Sequence, residues 1–503
     1  MRIAVVASEA VPFSKTGGLA DVAGTLFKEY TGMGFDAFLF VPLYRRTAEQ
    51  FGTRLQDAGI GIDVPVGKAF RKCRVFTLKM ETEERQGHNS RLPRFTGAPD
   101  RVFFIGNEEY FDRDELYGTP AGDYPDNDQR FAFFCRAVME ICKVLDLRID
   151  LMHCNDWQTG LIPLYIKTLY RDVPALEKTA SVITIHNLGY QGLFPMQAMG
   201  ITGLSMDLFN PEGLEFYGKV NFLKAGIVGA DVITTVSGTY AKEILTPESG
   251  FGLDGILRKR AGSLMGILNG IDYAEWDPSA DTYLPHTYSK SDLSGKAECK
   301  KELIKRCSLE NNADAPLICF IGRLSTQKGV DLLAGAAPEL IAAGADLVVI
   351  GKGDEHYQKI LSSISDRFRE SFFFHTGFSE DLAHLAYAGA DIFLMPSRYE
   401  PCGLGQMIAM RYGTVPVARR TGGISDTVED GLTGFLFDEY SASALAGAVR
   451  KALSAHKSRR AWQGLIKNAM GRDFSWRKSA KIYGDMYRDA VKAKGLSGAA
   501  ASR

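Results

Sequence analysis

The chain has 503 residues, 45% of them hydrophobic, and its 59 Lys and Arg against 60 Asp and Glu leave a formal net charge of −1. That length exceeds what one hydrophobic core usually organises, so two domains are expected. The near-neutral balance implies neither a nucleic acid nor an anionic membrane as partner, so any phosphate must be held by locally placed cations. The eight cysteines (Cys73, Cys135, Cys142, Cys154, Cys299, Cys307, Cys319 and Cys402) contain no C-x-x-C pair and no zinc spacing. Several lie in apolar stretches, as the thiols of a reducing compartment do.

The sequence enters at once on a strand, Arg2 to Ala7, and has no apolar run long enough to span a bilayer. A cytoplasmic protein without a targeting peptide is therefore expected. Ser8 to Leu19 reads as a loop leading into a helix from about Ala20, which puts Lys15, Gly17 and Gly18 at a helix N-terminus with Asp21 in its first turn. A cation beside two glycines there is suited to a diphosphate, although the spacing is not that of a Walker A loop and such turns are often only turns. A second strand, Phe38 to Val41, completes a βαβ-like opening. Residues 45 to 130 break the regular alternation and read as an insertion, with a candidate sugar-facing stretch from Tyr110 to Asp128. Asp112 with Asp114, and Asp126 with Asp128, formally resemble metal-binding pairs; two-residue acid patterns are common in loops, and no metal is expected.

A helix is expected from Arg130 to Leu145, then strands ending in polar residues: Leu151 to Trp157 with His153 and Asp156, Ser181 to Asn187 with His186, Val232 to Ser237, and Leu264 to Gly270 with Asn269. Residues 272 to 315 read as a polar linker containing a helix near Lys296 to Arg306. A second alternating series follows, with strands at 317–321, 346–350, 372–375, 392–395 and 415–418, so a second parallel sheet covered on both faces is expected. Gly351-Lys352-Gly353 lacks the third glycine of a dinucleotide fingerprint, since position 356 is His, which argues against a nicotinamide enzyme. Glu400 falls in the turn after strand 392–395, fixed by Pro401 and Gly403, and Thr421-Gly422-Gly423 marks another strand-to-helix turn. The chain is helical after about 445, ends in an amphipathic helix from 475 to 491, and carries a Gly-Ser-Ala tail expected to be disordered. Two α/β halves that place cations, glycines and a carboxylate at strand ends suit a ligand with a phosphate part and a polyhydroxyl part.

Seven blocks carry a resemblance in a fixed order: Lys15 to Asp21, His153 to Trp157, Thr184 to Asn187, Gly266 to Asp272, Arg323 with Lys328-Gly329, Pro396 to Gly403, and Arg420 to Gly423. From residue 1 to about 490 the chain resembles the bacterial glycogen synthases and plant starch synthases that use ADP-glucose. The resemblance implies an α/β chain of the GT-B fold: two Rossmann-like domains, at 1–260 and 261–474, facing an interdomain cleft, with a final helix in 475–503 crossing back to the first. It implies transfer of glucose from ADP-glucose to the non-reducing 4-hydroxyl of an α-1,4-glucan with retention of configuration. The resemblance puts Arg323 and Lys328 on the donor diphosphate, Lys15, Gly17 and Gly18 around the donor, and Glu400 on its glucose. Asn269, Asp21, Phe378, Thr421, Gly422 and Gly423 are further donor positions, His153 lies near the reacting glucose, and Asp126 is an acceptor-side candidate. Two fixed cations can stabilise a leaving diphosphate without a metal, so no metal or cofactor is expected beyond the donor substrate. No carboxylate pair of the retaining-glycosidase kind is evident, so Glu400 is not read as a nucleophile. UDP-glucose as donor, or a silent glucan-binding protein, are the alternatives, and the oligomeric state is open. Phe378 stands where relatives often carry Tyr, keeping a stacking face without its hydroxyl, and Gly405 replaces a larger residue and is expected to loosen its helix start.

Overall fold

The computed structural model describes residues 1–79, 99–119, 122–310 and 314–501, without the side chains of residue 99 and of 496–501. The chain divides into two compact units, one of residues 1–236, 241–267 and 476–503, the other of 237–240 and 268–475.

The first unit is built on a nine-stranded sheet. From edge to edge it runs Leu264–Gly266, Val232–Thr235, Ala180–Ile185, Leu151–Asn155, Arg2–Val6, Asp36–Pro42, Val102–Gly106, Ala69–Leu78 and Leu55–Val66. The first seven pair in parallel, and the last two form an antiparallel hairpin on that edge. The central strands are buried along their length because both faces are covered, as in every residue of Leu151–Asn155 and Ala180–Ile185. The irregular region expected from 45 to 130 contains this hairpin and the strand Val102–Gly106, while its residues 80–98, 120 and 121 lie outside the described residues. The unit boundary falls after Ile267 because Leu264–Gly266 pairs with Val232–Thr235 and so belongs to the first sheet.

The final helix, Trp476–Ala501, belongs to the first unit and packs Trp476, Ala480, Tyr483 and Tyr487 into the core beside Phe27 and Tyr30. Its backbone stays helical through most of the Gly-Ser-Ala segment, whose alanines are strong helix formers; the side chains there, and residues 502 and 503, lie outside the described residues. A buried polar chain anchors it. The Tyr30 and Tyr487 hydroxyls meet at 2.7 Å, Tyr487 reaches His153 Nδ1 at 2.6 Å, His153 Nε2 meets Thr184 Oγ1 at 2.6 Å, and Thr184 meets Thr234 at 2.6 Å.

The second unit holds a six-stranded, wholly parallel sheet ordered Phe372–Thr376, Asp346–Gly351, Leu317–Ile321, Ile392–Met395, Val415–Arg419, Phe435–Phe437. The stretch 272–310 is packed into this unit rather than forming a linker. Tyr288 is buried and donates to the Tyr412 carbonyl at 2.8 Å, and the buried Lys296 ammonium donates to the carbonyls of Ala388 and Ala390 and to Thr414 Oγ1. Gly351 is required because an added Cβ would stand 2.1 Å from the Gly322 carbonyl oxygen, so that glycine serves strand-to-loop packing.

Both sheets obey one rule. Numbered along the chain, the second runs 3-2-1-4-5-6, and the parallel part of the first runs 3-2-1-4-5-6-7. The order reverses between strands 1 and 4, and the loops leaving their carboxyl ends diverge there and open a crevice. In the first unit those loops follow Arg2–Val6 and Leu151–Asn155; in the second they follow Leu317–Ile321 and Ile392–Met395.

Candidate active site

At the crevice of the second unit, the loop after Leu317–Ile321 carries Arg323 and Lys328, and the loop after Ile392–Met395 carries Ser397 and Glu400. The Arg398 N–H donates to the Gln327 carbonyl at 2.8 Å, which ties the two loops together. Across that tie the Lys328 ammonium reaches Glu400 Oε2 at 2.5 Å, and the Ser397 hydroxyl donates to the same oxygen at 2.9 Å. Glu400 is only 5% exposed, whereas the Lys328 side chain is partly open to solvent. A buried carboxylate held by a cation is a charge-assisted contact whose geometry is set before any ligand arrives.

The turn after the next strand is fitted to the same carboxylate's backbone. Gly422 adopts φ 44°, and a Cβ there would lie 1.9 Å from the Glu400 carbonyl oxygen, so only glycine fits. The Gly423 N–H donates to that carbonyl at 3.1 Å, and Thr421 is buried at the helix start. Ser237 Oγ donates to the Pro401 carbonyl at 2.6 Å, fixing the turn from another side. Burial pushes the Cys402 thiol up to about 12, against a backbone hydrogen bond from Asn269 that places Asn269 at this turn. Asn269 Oδ1 is buried without a hydrogen-bond partner among the described residues, so it is an acceptor awaiting a donor. Phe378, after strand Phe372–Thr376, is 75% exposed and offers an open ring face. Gly405 does not loosen its helix: the Phe393 ring occupies the space a side chain would need, 2.8 Å from an added Cβ.

The crevice of the first unit is lined differently. Glu9 is buried and accepts from the Thr16 N–H, from Thr16 Oγ1 at 2.9 Å and from the Tyr117 hydroxyl at 2.9 Å, which holds the loop that ends in Lys15, Gly17 and Gly18. Burial raises the Glu9 carboxyl above its usual range despite those bonds. Lys15 pairs with Asp21 at 2.7 Å, one turn into the helix Gly18–Gly32. At the end of the next switch-point strand, Asp156 adopts φ 55°, unusual for a residue with a side chain, and accepts the His186 N–H at 2.7 Å. Burial pushes the Asp156 carboxyl up to about 7, partly opposed by the amides of His186 and Asn187.

Burial likewise pushes His186 down to about 3, so its imidazole is neutral. Asn155 Nδ2 donates to the Val6 carbonyl at 3.1 Å, which turns Asn155 Oδ1 toward His186 Nε2 at 2.9 Å. Nε2 therefore carries the proton, and Nδ1, buried without a partner among the described residues, is left as an acceptor. A neutral acceptor beside a carboxyl poised near neutrality suits the hydroxyl groups of a sugar.

Two expected residues have their polar atoms engaged within the fold. His153 is not at the crevice surface: it is 0% exposed, both ring nitrogens are bonded, and burial holds it down to about 3. It lies within its strand rather than beyond it, and its two bonds link the last helix to the sheet. Asp126 is engaged in a two-pronged pair with Arg113, at 2.8 and 2.5 Å; burial pushes its carboxyl up, and the Arg113 bonds outweigh that to hold it below the usual range. Asp112 and Asp114 are both taken by Arg45, which accounts for that acid pair without a metal. Glu9, Asp156 and His186 went unassigned because a carboxylate in a loop or a histidine beyond a strand has no distinguishing local pattern; the polar ending shared by two neighbouring strands was the available signal.

Comparison with known proteins decides the family. Residues 2–259 match the model of the starch synthase catalytic domain, and residues 302–468 match that of glycosyl transferases group 1. The chain is 47% identical over 493 residues to a glycogen synthase of Thermodesulfovibrio yellowstonii, covering 98% of both chains, and 46% identical to one of Geotalea daltonii, covering 98% of this chain and 100% of that one. It superimposes with a TM-score of 0.86 and 31% identity on the catalytic domain of starch synthase IV from Arabidopsis thaliana bound to ADP and acarbose, covering 97% and 99% of the two chains. The chain belongs to the glycogen and starch synthase family. It is therefore a glycosyltransferase of the GT-B class with two Rossmann-like domains, a fold shared with sucrose-phosphate synthase of Thermosynechococcus elongatus at 18% identity and a TM-score of 0.60. Among the described residues no helix is long and apolar enough to cross a membrane.

Proposed function

We propose that this glycosyltransferase extends an α-1,4-glucan by transferring glucose from ADP-glucose to its non-reducing 4-hydroxyl with retention of configuration. The observation that carries the reading is the Lys328–Glu400 pair at the switch point of the second sheet. Lys328 and Arg323 hold the diphosphate and stabilise the charge that grows on it as the bond from C1 to the phosphate oxygen breaks. Glu400, with Asn269 and the Thr421-Gly422-Gly423 turn, positions the donor glucose, and Phe378 stacks on the base. Lys15, Gly17, Gly18 and Asp21 complete the donor side.

The acceptor oxygen then bonds to C1 on the face the diphosphate leaves, and its proton passes to a departing phosphate oxygen. His186 takes the place the sequence reading gave to His153, accepting a sugar hydroxyl at Nδ1, with Asp156 beside it. Asp126 keeps an acceptor-side role only by orienting Arg113. No cofactor or metal enters the reaction, and the setting is the cytoplasm.

Purified protein given ADP-glucose and a maltooligosaccharide should release ADP and lengthen the chain, in EDTA as without it. ADP release that fails to occur, or that requires a metal, contradicts the proposal. Faster turnover with UDP-glucose in side-by-side assays would replace the donor and leave the rest intact.

A further inference from the structure

A second polar cluster stands in the second unit, built from the segment around Trp276 and the helix Glu380–Gly389. A ring nitrogen of His384 and one carboxylate oxygen each of Glu275 and Glu380 lie within 4.8 Å of one another. Glu380 and His384 are four residues apart on one helix and so share a face. His384 is 1% exposed to solvent, and its ring is stacked on Trp276 at a centroid distance of 4.1 Å and an interplanar angle of 11°. Its Nδ1 meets Asp281 Oδ2 at 2.7 Å, and the Tyr412 hydroxyl donates to the same oxygen at 2.6 Å.

That carboxylate fixes the proton on Nδ1 and leaves the lone pair on Nε2. Nε2 is buried and has no hydrogen-bond partner among the described residues. A carboxylate behind one imidazole nitrogen, with the other nitrogen unprotonated and two further carboxylate oxygens within 4.8 Å of the ring's ligand atom, is the arrangement that orients histidine toward a metal. An imidazole with two carboxylates suits a zinc-like cation, whereas magnesium prefers oxygen donors alone. Ligand atoms about 2 Å from a tetrahedral ion stand roughly 3.3 Å apart, so binding requires the two exposed glutamates to close inward, with Glu380 exchanging its hydrogen bond from Tyr283 for the ion.

We propose that Glu275, Glu380 and His384 bind one zinc-type divalent cation, which clamps the 272–283 segment to the helix that begins at Glu380. The site is separate from the proposed transfer chemistry, and its ligands take no part in it.

The test uses the full-length chain stripped with a chelator and titrated with Zn²⁺ by calorimetry, with thermal unfolding followed in parallel. One ion should bind per chain, Tm should rise with Zn²⁺ and not with Mg²⁺, and the E275Q/E380Q double variant should bind at least tenfold more weakly. Both glutamates are exposed, so that variant is expected to fold, and its unliganded Tm verifies this. Substitution by Co²⁺ adds the visible absorption of a tetrahedral site, lost in the double variant. Equal Zn²⁺ affinity in wild type and double variant, or no binding by the wild type, overturns the proposal. Neither readout involves turnover, so this failure is distinguishable from failure of the proposed transfer.

Discussion

The two sheets share a strand order and place their functional residues at the same topological point, yet differ in the buried groups that line it. In the second unit the switch point holds a formal ion pair, Lys328 and Glu400, with Arg323 on the same loop as the lysine. In the first, besides the Lys15–Asp21 pair on its rim, it holds groups that burial has moved toward neutrality: Asp156 near 7, a neutral His186, and Glu9 raised above the usual carboxylate range. Fixed charge suits a leaving diphosphate, and neutral acceptors suit the hydroxyls of a glucan. Repetition of the fold thus supplied two equivalent crevices, and side-chain burial made them different.

The neutral side can be broken through pH. Asp156 is raised from the ordinary 3.8 to about 7, so the folded state holds a proton that the unfolded state has lost between those values. Its contribution to stability is present below about pH 4 and is lost as pH rises to 7, up to about 4 kcal/mol. His153 and His186 act in the opposite sense, since both are lowered to about 3 and each favours folding as pH rises toward 6.5. Asp156→Asn should therefore gain stability relative to wild type from pH 4 to 7 and then level off, read as the difference in Tm against pH. A flat difference would mean that Asp156 ionises normally.

On the charged side, Lys328→Ala should lower kcat about a hundredfold, roughly 3 kcal/mol, with far less effect on glucan binding. Steady-state rates with ADP-glucose and a maltooligosaccharide measure it; near-normal turnover would mean the phosphate lies elsewhere. A smaller effect separates His153 from the site altogether. Tyr487→Phe strands the buried His153 Nδ1 and should cost about 1–3 kcal/mol in urea unfolding while leaving the kcat of the folded enzyme unchanged. Phe378→Ala should remove a stacking face and raise KM for the nucleotide sugar about tenfold, leaving kcat nearly intact.

Much of this was readable from residues alone, because strands buried on both faces announce themselves as apolar runs and turns as glycine and proline. The second sheet was nearly complete on that basis; only its edge strand Phe435–Phe437, three residues long, left too short a pattern. Among the charged residues, Glu400 was visible in the turn after its strand, whereas Arg323 and Lys328 were singled out by the family resemblance. The neutral crevice was harder. His153 and His186 both sit near strand termini, and only the three-dimensional partners show that one is sealed by Tyr487 and Thr184 while the other keeps an unpartnered nitrogen. The stretch after Asp272 reads as a linker because it is polar, yet Lys296, Lys300 and Asp281 within it are buried through hydrogen bonds and ion pairs to distant residues, a long-range property with no local signature.

The central claim, that the diphosphate is held at the charged switch point of the second unit and not by the neutral groups at the switch point of the first, is met most directly by calorimetric titration of ADP into the wild type, Lys328→Ala and His186→Ala. The account predicts ADP affinity at least tenfold weaker in Lys328→Ala and unchanged in His186→Ala. Equal losses in both variants, or an undiminished affinity in Lys328→Ala, would contradict it.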